Sequence, residues 1–324
     1  MKRLFAAFIA VIAFAGVLLP GTASALTFSP PTFDLVASPG EAFQQTLKLR
    51  NEATSSVTIT SSSASFAGTS GDDTSGVPDF YPSTEERDGH GLGGWIELDP
   101  AGLTLLPGER ADLTYMIRVP EDAAPGSYFG AVILSTATGD VAENVGVAGT
   151  AAALVLLRVR GEVVEDMKLT DFSSPAISSS LPVRFEARVQ NDGTVHLRPY
   201  GEVAIKNVFG KTVRTLAINR AEYKSVLPGA ARRYQTVWQR HPLNVGASLL
   251  TRQWRNFALG PYTAELTFRY GAEDRIVQAT TRFWVVPWLV LLLFAGGATL
   301  LTLGLRGFIR WYAEWVIRRY QNRQ

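Results

Sequence analysis

The sequence contains no cysteine. That excludes a disulfide framework, an iron–sulfur or Cys-zinc centre, a thiol nucleophile and a lipid-modified N-terminal cysteine. Histidine is scarce, with only His90, His196 and His241, so little imidazole is available for catalysis or metal binding. An excess of charge of one sign is also missing. There are 31 basic and 29 acidic residues, a formal net charge of +2, without the basic footprint of a nucleic-acid binder. No Gly-x-Ser-x-Gly elbow, His-Glu-x-x-His pair or phosphate-cradling glycine loop occurs, so the common hydrolase and nucleotide-binding signatures are absent. Length alone suggests about two domains.

What the interior lacks in long apolar runs, the two ends supply. Residues 1–25 read MKRLFAAFIAVIAFAGVLLPGTASA. Lys2 and Arg3 form a positive start, an uncharged apolar stretch follows, Pro20 and Gly21 break it, and Ala23-Ser24-Ala25 is a small-x-small cleavage site. This is the layout of a secretory signal peptide. Residues 283–305, beginning at Phe283 and closing at Leu305, carry no charge. As a helix they would rise about 35 Å, enough to cross a hydrocarbon layer of about 30 Å. The tail 306–324 holds five arginines against Glu314, which by the positive-inside rule places it in the cytosol. The expectation is a single-pass cell-membrane protein with 26–282 outside. Without the leader and the tail, 24 basic residues face 28 acidic ones, so the exterior part is mildly acidic.

Between the ends, apolar residues alternate with polar ones over short runs bounded by Pro, Gly, Asn and Ser. Examples are Leu47, Leu49; Val57, Ile59; Tyr115, Ile117, Val119; Val183, Phe185, Ala187, Val189; and Ala264, Leu266, Phe268. Period two with frequent turns predicts half-buried antiparallel strands. An internal repeat suggests two related units. One half has Leu49-Arg50-Asn51, Leu106-Pro107-Gly108 and Gly126-Ser127-Tyr128; the other has Val189-Gln190-Asn191, Leu227-Pro228-Gly229 and Gly260-Pro261-Tyr262. Asn suits a left-handed turn at a strand end, and Pro-Gly suits the centre of a type II turn. The predicted fold is all-β, with two tandem immunoglobulin-like β-sandwiches, 26–165 and 166–282, followed by one C-terminal transmembrane helix.

These residues carry a resemblance. Phe28-Ser29-Pro30, Phe33-Asp34-Leu35, Pro39-Gly40-Glu41, Leu49-Arg50-Asn51, Leu106-Pro107-Gly108-Glu109 and the run 119–128 (VPEDAAPGSY) resemble the WxL-interacting protein family of bacterial surface proteins. The leader, two domains, single span and short basic tail match that family's layout. The resemblance implies a peptidoglycan-binding first domain and a second domain that binds a host or partner protein. It supplies no individual binding residues.

Two segments stand out as candidate binding sites. Residues 68–94 contain Asp72, Asp73, Asp79, Glu85, Glu86 and Asp88 among seven glycines. They read as a long solvated loop whose acids offer hard oxygen ligands, although the spacing fits no EF-hand. Glycoside hydrolysis would need two carboxylates at a set separation, and nothing in the segment orients them. Residues 240–260 carry Arg252, Trp254 and Arg255 on an expected loop, a combination suited to recognition of protein or sugar. Trp95 and Trp238 are expected in the core, and His196 is expected to point outward. No cofactor or metal is implied. The functional expectation is a non-enzymatic surface protein engaging cell-wall polymer or another surface protein. The alternative is an assembly factor or chaperone that pairs an edge strand with an exported client.

Overall fold

The computed structural model describes residues 26–321, except 69–76, 86, 88, 100–101, 139–148, 222–223, 243–245 and 247. The signal-peptide reading therefore lies outside the described residues, as do Asp72, Asp73, Glu86 and Asp88. The chain is mostly β-strand with one long apolar helix at the C-terminal end. It divides into two compact units, the first of 26–67 and 78–163 and the second of 164–321 together with Gly68 and Val77.

The first unit contains β1 (Leu26–Ser29), β2 (Thr32–Ala37), β3 (Ala42–Asn51), β4 (Val57–Ala67), β5 (Asp79–Pro82), β6 (Ile96–Leu98), β7 (Leu103–Leu105), β8 (Arg110–Arg118), β9 (Gly126–Thr138) and β10 (Gly149–Val159). One sheet has the order β1-β3-β8-β6; the other runs β2-β10-β9-β4-β5, with β7 also on β4. Their inward residues form one core. Leu47, Leu49, Tyr115 and Ile117 of the first sheet meet Val57, Ile59, Leu134, Val155 and Leu157 of the second. Phe33 meets Tyr115 edge to face at 5.8 Å. The period-two alternation in the sequence is this division between core and outer face.

The chain changes sheets between β1 and β2. β1 pairs with β3 in one sheet, and β2 pairs in parallel with β10 in the other. Ser29-Pro30-Pro31 lies at the crossover. Proline has no N–H for a ladder, so pairing with β10 begins only at Thr32.

The second unit contains β11 (Met167–Ser173), β12 (Ile177–Ser178), β13 (Val183–Asn191), β14 (Tyr200–Asn207), β15 (Thr212–Ile218), β16 (Ala231–Trp238), α1 (Leu249–Arg255), β17 (Gly260–Tyr270), β18 (Arg275–Val285) and α2 (Trp288–Gln321). A three-stranded sheet β11-β13-β16 faces a five-stranded sheet β12-β18-β17-β14-β15. Aromatic pairs join the two: Phe185 with Phe283 at 5.4 Å, Tyr234 with Phe268 at 5.7 Å, and Trp238 with Tyr262 at 5.0 Å. Such edge-to-face pairs stabilise beyond the area they bury.

The apolar C-terminal run is partitioned differently from its composition. Phe283 to Val285 are the last residues of β18, and Phe283 and Val285 are buried in the sandwich. The correction has a simple cause: a buried strand end and a membrane helix are equally apolar, and hydropathy alone cannot separate them. The helix starts at Trp288, after Pro287, and it is long and apolar enough to cross a membrane. The basic tail continues it without a break through Gln321.

Candidate functional site

The described part of the acidic segment from Asp79 onward is built into the sheet rather than free in solvent. β5 pairs with the end of β4, and Tyr81 is buried. The Leu92 N–H donates to the Phe129 carbonyl, the Phe129 N–H to the His90 carbonyl, and the Gly93 N–H to Ser65 Oγ. Of the six candidate acids, Asp79 and Glu85 are described. Both face Arg87, whose guanidinium donates to Glu85 Oε1 at 2.7 Å and Asp79 Oδ2 at 3.3 Å. It also lies over the Tyr81 ring at 4.9 Å. The hydrogen bond to Glu85 holds the Arg87 pKa above its ordinary value. Both described carboxylates are thus paired within the segment. No group of three or more His, Asp or Glu suited to a metal ion occurs among the described residues. Arg87 is the organising residue that counting acids overlooked.

Two of the three histidines, His90 and His196, are enclosed by the fold, and His241 is exposed. His196 is buried, contrary to the outward expectation. His90 is half-buried, with its Nδ1 2.8 Å from the Ser127 carbonyl and its ring against Tyr128 and Phe129. The His241 N–H donates to Asn256 Oδ1. Trp95 packs on Tyr128 at 4.3 Å, and Trp238 is buried.

The Arg–Trp segment is a helix, not a loop. Ser248 caps α1, its Oγ accepting from the Thr251 N–H at 3.3 Å. At the other end Asn256 is buried; its N–H donates to the Arg252 carbonyl and its carbonyl accepts from the Leu181 N–H. Gln253 points inward and is buried, and its Oε1 accepts from the Leu289 and Val290 N–H groups at 3.0 and 3.4 Å. The first N–H groups of any helix have no partner within it. Gln253 supplies that partner, so α1 is the cap of α2. Trp254 faces outward and stacks on Phe294 of α2, with ring centroids 6.3 Å apart. Arg252 and Arg255 occupy the last turn. The three candidate residues 252, 254 and 255 thus stand together where the second unit meets the apolar helix. The segment is tied down rather than free, because Gln253, unremarkable in sequence, bonds it to the start of α2.

A second surface was invisible in the sequence. β2 pairs with β10 only from Leu154 to Val159, so no strand pairs with Gly149–Ala153 on that side among the described residues. Strand geometry says which groups are open. The Leu154 N–H points to the β2 side, donating to the Pro31 carbonyl at 3.0 Å. Gly149 turns the other way, with both its backbone groups on Thr136 Oγ1 of β9. By the two-residue period, Thr150 and Ala152 present their N–H and C=O to the open edge, while Ala151 and Ala153 bond to β9. The side chains along this edge are small (GTAAA), leaving room for an added strand.

No known family model matches the chain, and no curated protein is similar to it in sequence. Solved structures with a related arrangement include the class 5 fimbriae chaperone CfaA, with 11% identity, 79% of this chain and 99% of that chain covered, and a TM-score of 0.39. The YadV chaperone gives 11%, 80%, 99% and 0.38. A chain from the Salmonella enterica complex of SafA pilin with the SafB chaperone gives 10%, 80%, 98% and 0.38. Likeness at this level does not extend to function.

Proposed function

We propose that this is a membrane-tethered, non-enzymatic binding protein that holds an exported polypeptide by adding one of its strands to the open edge of β10. The observation that carries the reading is the stretch Gly149–Ala153, unpaired on one side by any described strand, beside the Pro30-Pro31 crossover. An edge of this kind offers backbone hydrogen bonds for affinity and alternate side-chain positions for selectivity. The apolar α2 supports the tether. The arginines after it support an orientation with the β units outside. The resemblance to WxL-interacting proteins points to the same side of the membrane and to a protein partner.

The test is a proline substitution in the full chain. Ala152→Pro removes an N–H that faces the open edge, where proline is tolerated. The expected result is a folded protein that no longer retains, in stoichiometric amount, the exported polypeptide that the wild type captures from the source cell envelope. Capture indifferent to Ala152→Pro would overturn strand addition. Sedimentation with purified wall polymer, equally indifferent to the substitution, would favour instead the polymer-binding role expected from the sequence.

A further inference from the structure

We infer that α1 is a membrane-seating element: its outer face, Leu249, Leu250 and Trp254, enters the lipid headgroup layer beside α2 and fixes the second unit against the bilayer. This rests on the reading of α2 as a membrane span. It assigns to the Arg–Trp segment a lipid surface as partner rather than a protein or a sugar.

The first argument is depth. Phe294 lies six residues into α2, about 9 Å along its axis from Trp288. Trp254 stacks on it with ring centroids 6.3 Å apart, so Trp254 lies within that distance of its depth. The helix cannot be drawn outward to leave Trp254 in water. Residues 288–305 are eighteen in number and uncharged, rising about 27 Å, which a hydrocarbon layer of about 30 Å already uses in full. A shift of six residues would carry Arg306 and Arg310 into the hydrocarbon, where charge is expensive.

The second argument is exposure. Leu249, Leu250 and Trp254 are 60%, 40% and 63% exposed in the isolated chain. Leu250 and Trp254 are four apart and share one face of α1. Trp284 and Trp288, on either side of the start of α2, are also about half exposed. Tryptophan at such a position is the mark of a membrane–water interface. Gln253, four residues after Leu249, is buried against the start of α2, so the open apolar residues Leu249, Leu250 and Trp254 flank the contact between α1 and the apolar helix.

The third argument is charge. Residues 240–264 contain Arg240, Arg252 and Arg255 and no acidic residue, although the exterior part as a whole is acidic. A basic flank on an apolar face suits anionic headgroups. Long arginine side chains can also lay their stems along lipid and keep the charge in the headgroup layer.

The absence of cysteine makes the test clean. The full chain is reconstituted into vesicles of phosphatidylcholine and phosphatidylglycerol, each preparation carrying one introduced cysteine labelled with an environment-sensitive fluorophore. The variants are Leu250→Cys, Trp254→Cys, Ala272→Cys at the exposed β17–β18 turn, the end of β18 farthest from α2, and Gly297→Cys inside α2. Shallow spin-labelled lipid should quench most of the emission at 250 and 254, deep spin-labelled lipid that at 297, and neither that at 272. Quenching at 297 with none at 250 and 254 overturns the seating of α1 and leaves the span standing. No quenching at 297 overturns the span, and the seating with it.

Discussion

Asn51 and Asn191 make the same set of hydrogen bonds in the two units. Asn51 Nδ2 donates to the Ser55 and Leu105 carbonyls at 2.8 and 3.0 Å, and its Oδ1 accepts from the Ala53 N–H. Asn191 Nδ2 donates to the Val195 and Val226 carbonyls at 2.8 and 3.0 Å, and its Oδ1 accepts from the Gly193 N–H. The backbone repeats too: the Asn51 carbonyl accepts from Gly108 and that of Asn191 from Gly229, both at 2.8 Å. Each asparagine clamps its own Leu-Pro-Gly turn, and Gly108 and Gly229 take the positive φ that such a turn requires. The asparagines themselves are the last residues of β3 and β13 and have no positive φ. Their role is a buried clamp rather than the left-handed turn expected from the sequence.

Removing either clamp should be expensive and local. Asn51→Ala or Asn191→Ala leaves buried backbone groups without partners, a loss of about 3 kcal/mol each. Because the two lie in different units, the double variant should lose the sum. Thermal melts of the four proteins in the same micelles measure this. Clear non-additivity would show that the clamps are coupled.

The edge of β10 makes a prediction about stability separate from binding. Ala151→Pro removes a bond to β9 and Ala152→Pro does not, by the alternation set by Leu154 and Gly149. The first should cost about 3 kcal/mol or more, and the second about 1 kcal/mol or less. Equal losses in chemical denaturation would mean that the open side has been assigned to the wrong residues.

Gln253 should hold the start of α2. Gln253→Leu leaves the Leu289 and Val290 N–H groups without their acceptor, a loss of about 1–3 kcal/mol. Amide hydrogen exchange at 289 and 290 should quicken in this variant and stay slow in Trp254→Phe, which keeps the cap.

Tyr115 predicts a response to alkali. Burial pushes its phenol pKa well above the usual value, and its hydroxyl is buried without a hydrogen-bond partner among the described residues. An unfolded tyrosine releases its proton near pH 10, about the unperturbed value, while the folded one keeps it. Above that pH the folded state binds more protons than the unfolded, so stability falls as pH rises. Tyr115→Phe should weaken that fall. Near neutral pH it should be neutral or stabilise by about 1 kcal/mol, since it removes an unpaired buried hydroxyl. Urea unfolding of both proteins between pH 7 and 11 checks the sign.

Much of the architecture was legible in the chain. Alternation along 183–189 and 264–268 marked strands whose inward residues are in the core. The repeated Asn and Leu-Pro-Gly pairs marked two constructions of one kind. The sites were less legible. Counting acids in 68–94 could not show that Arg87 pairs Asp79 with Glu85, because that pairing depends on β5 folding back on β4. Nothing about Gln253 distinguished it from any other polar residue until α2 was placed against it.

Local chemistry was therefore determined by the sequence itself: which residues alternate, where Pro-Gly turns the chain, where charge stops and an apolar helix can begin. The tertiary structure decided what local pattern cannot carry. It gave Phe283 and Val285 to a sandwich rather than a span, because burial between sheets and burial in lipid select the same side chains. It left Gly149–Ala153 unpaired on one side by any described strand, because the reach of one strand over another depends on where a distant proline ends the pairing.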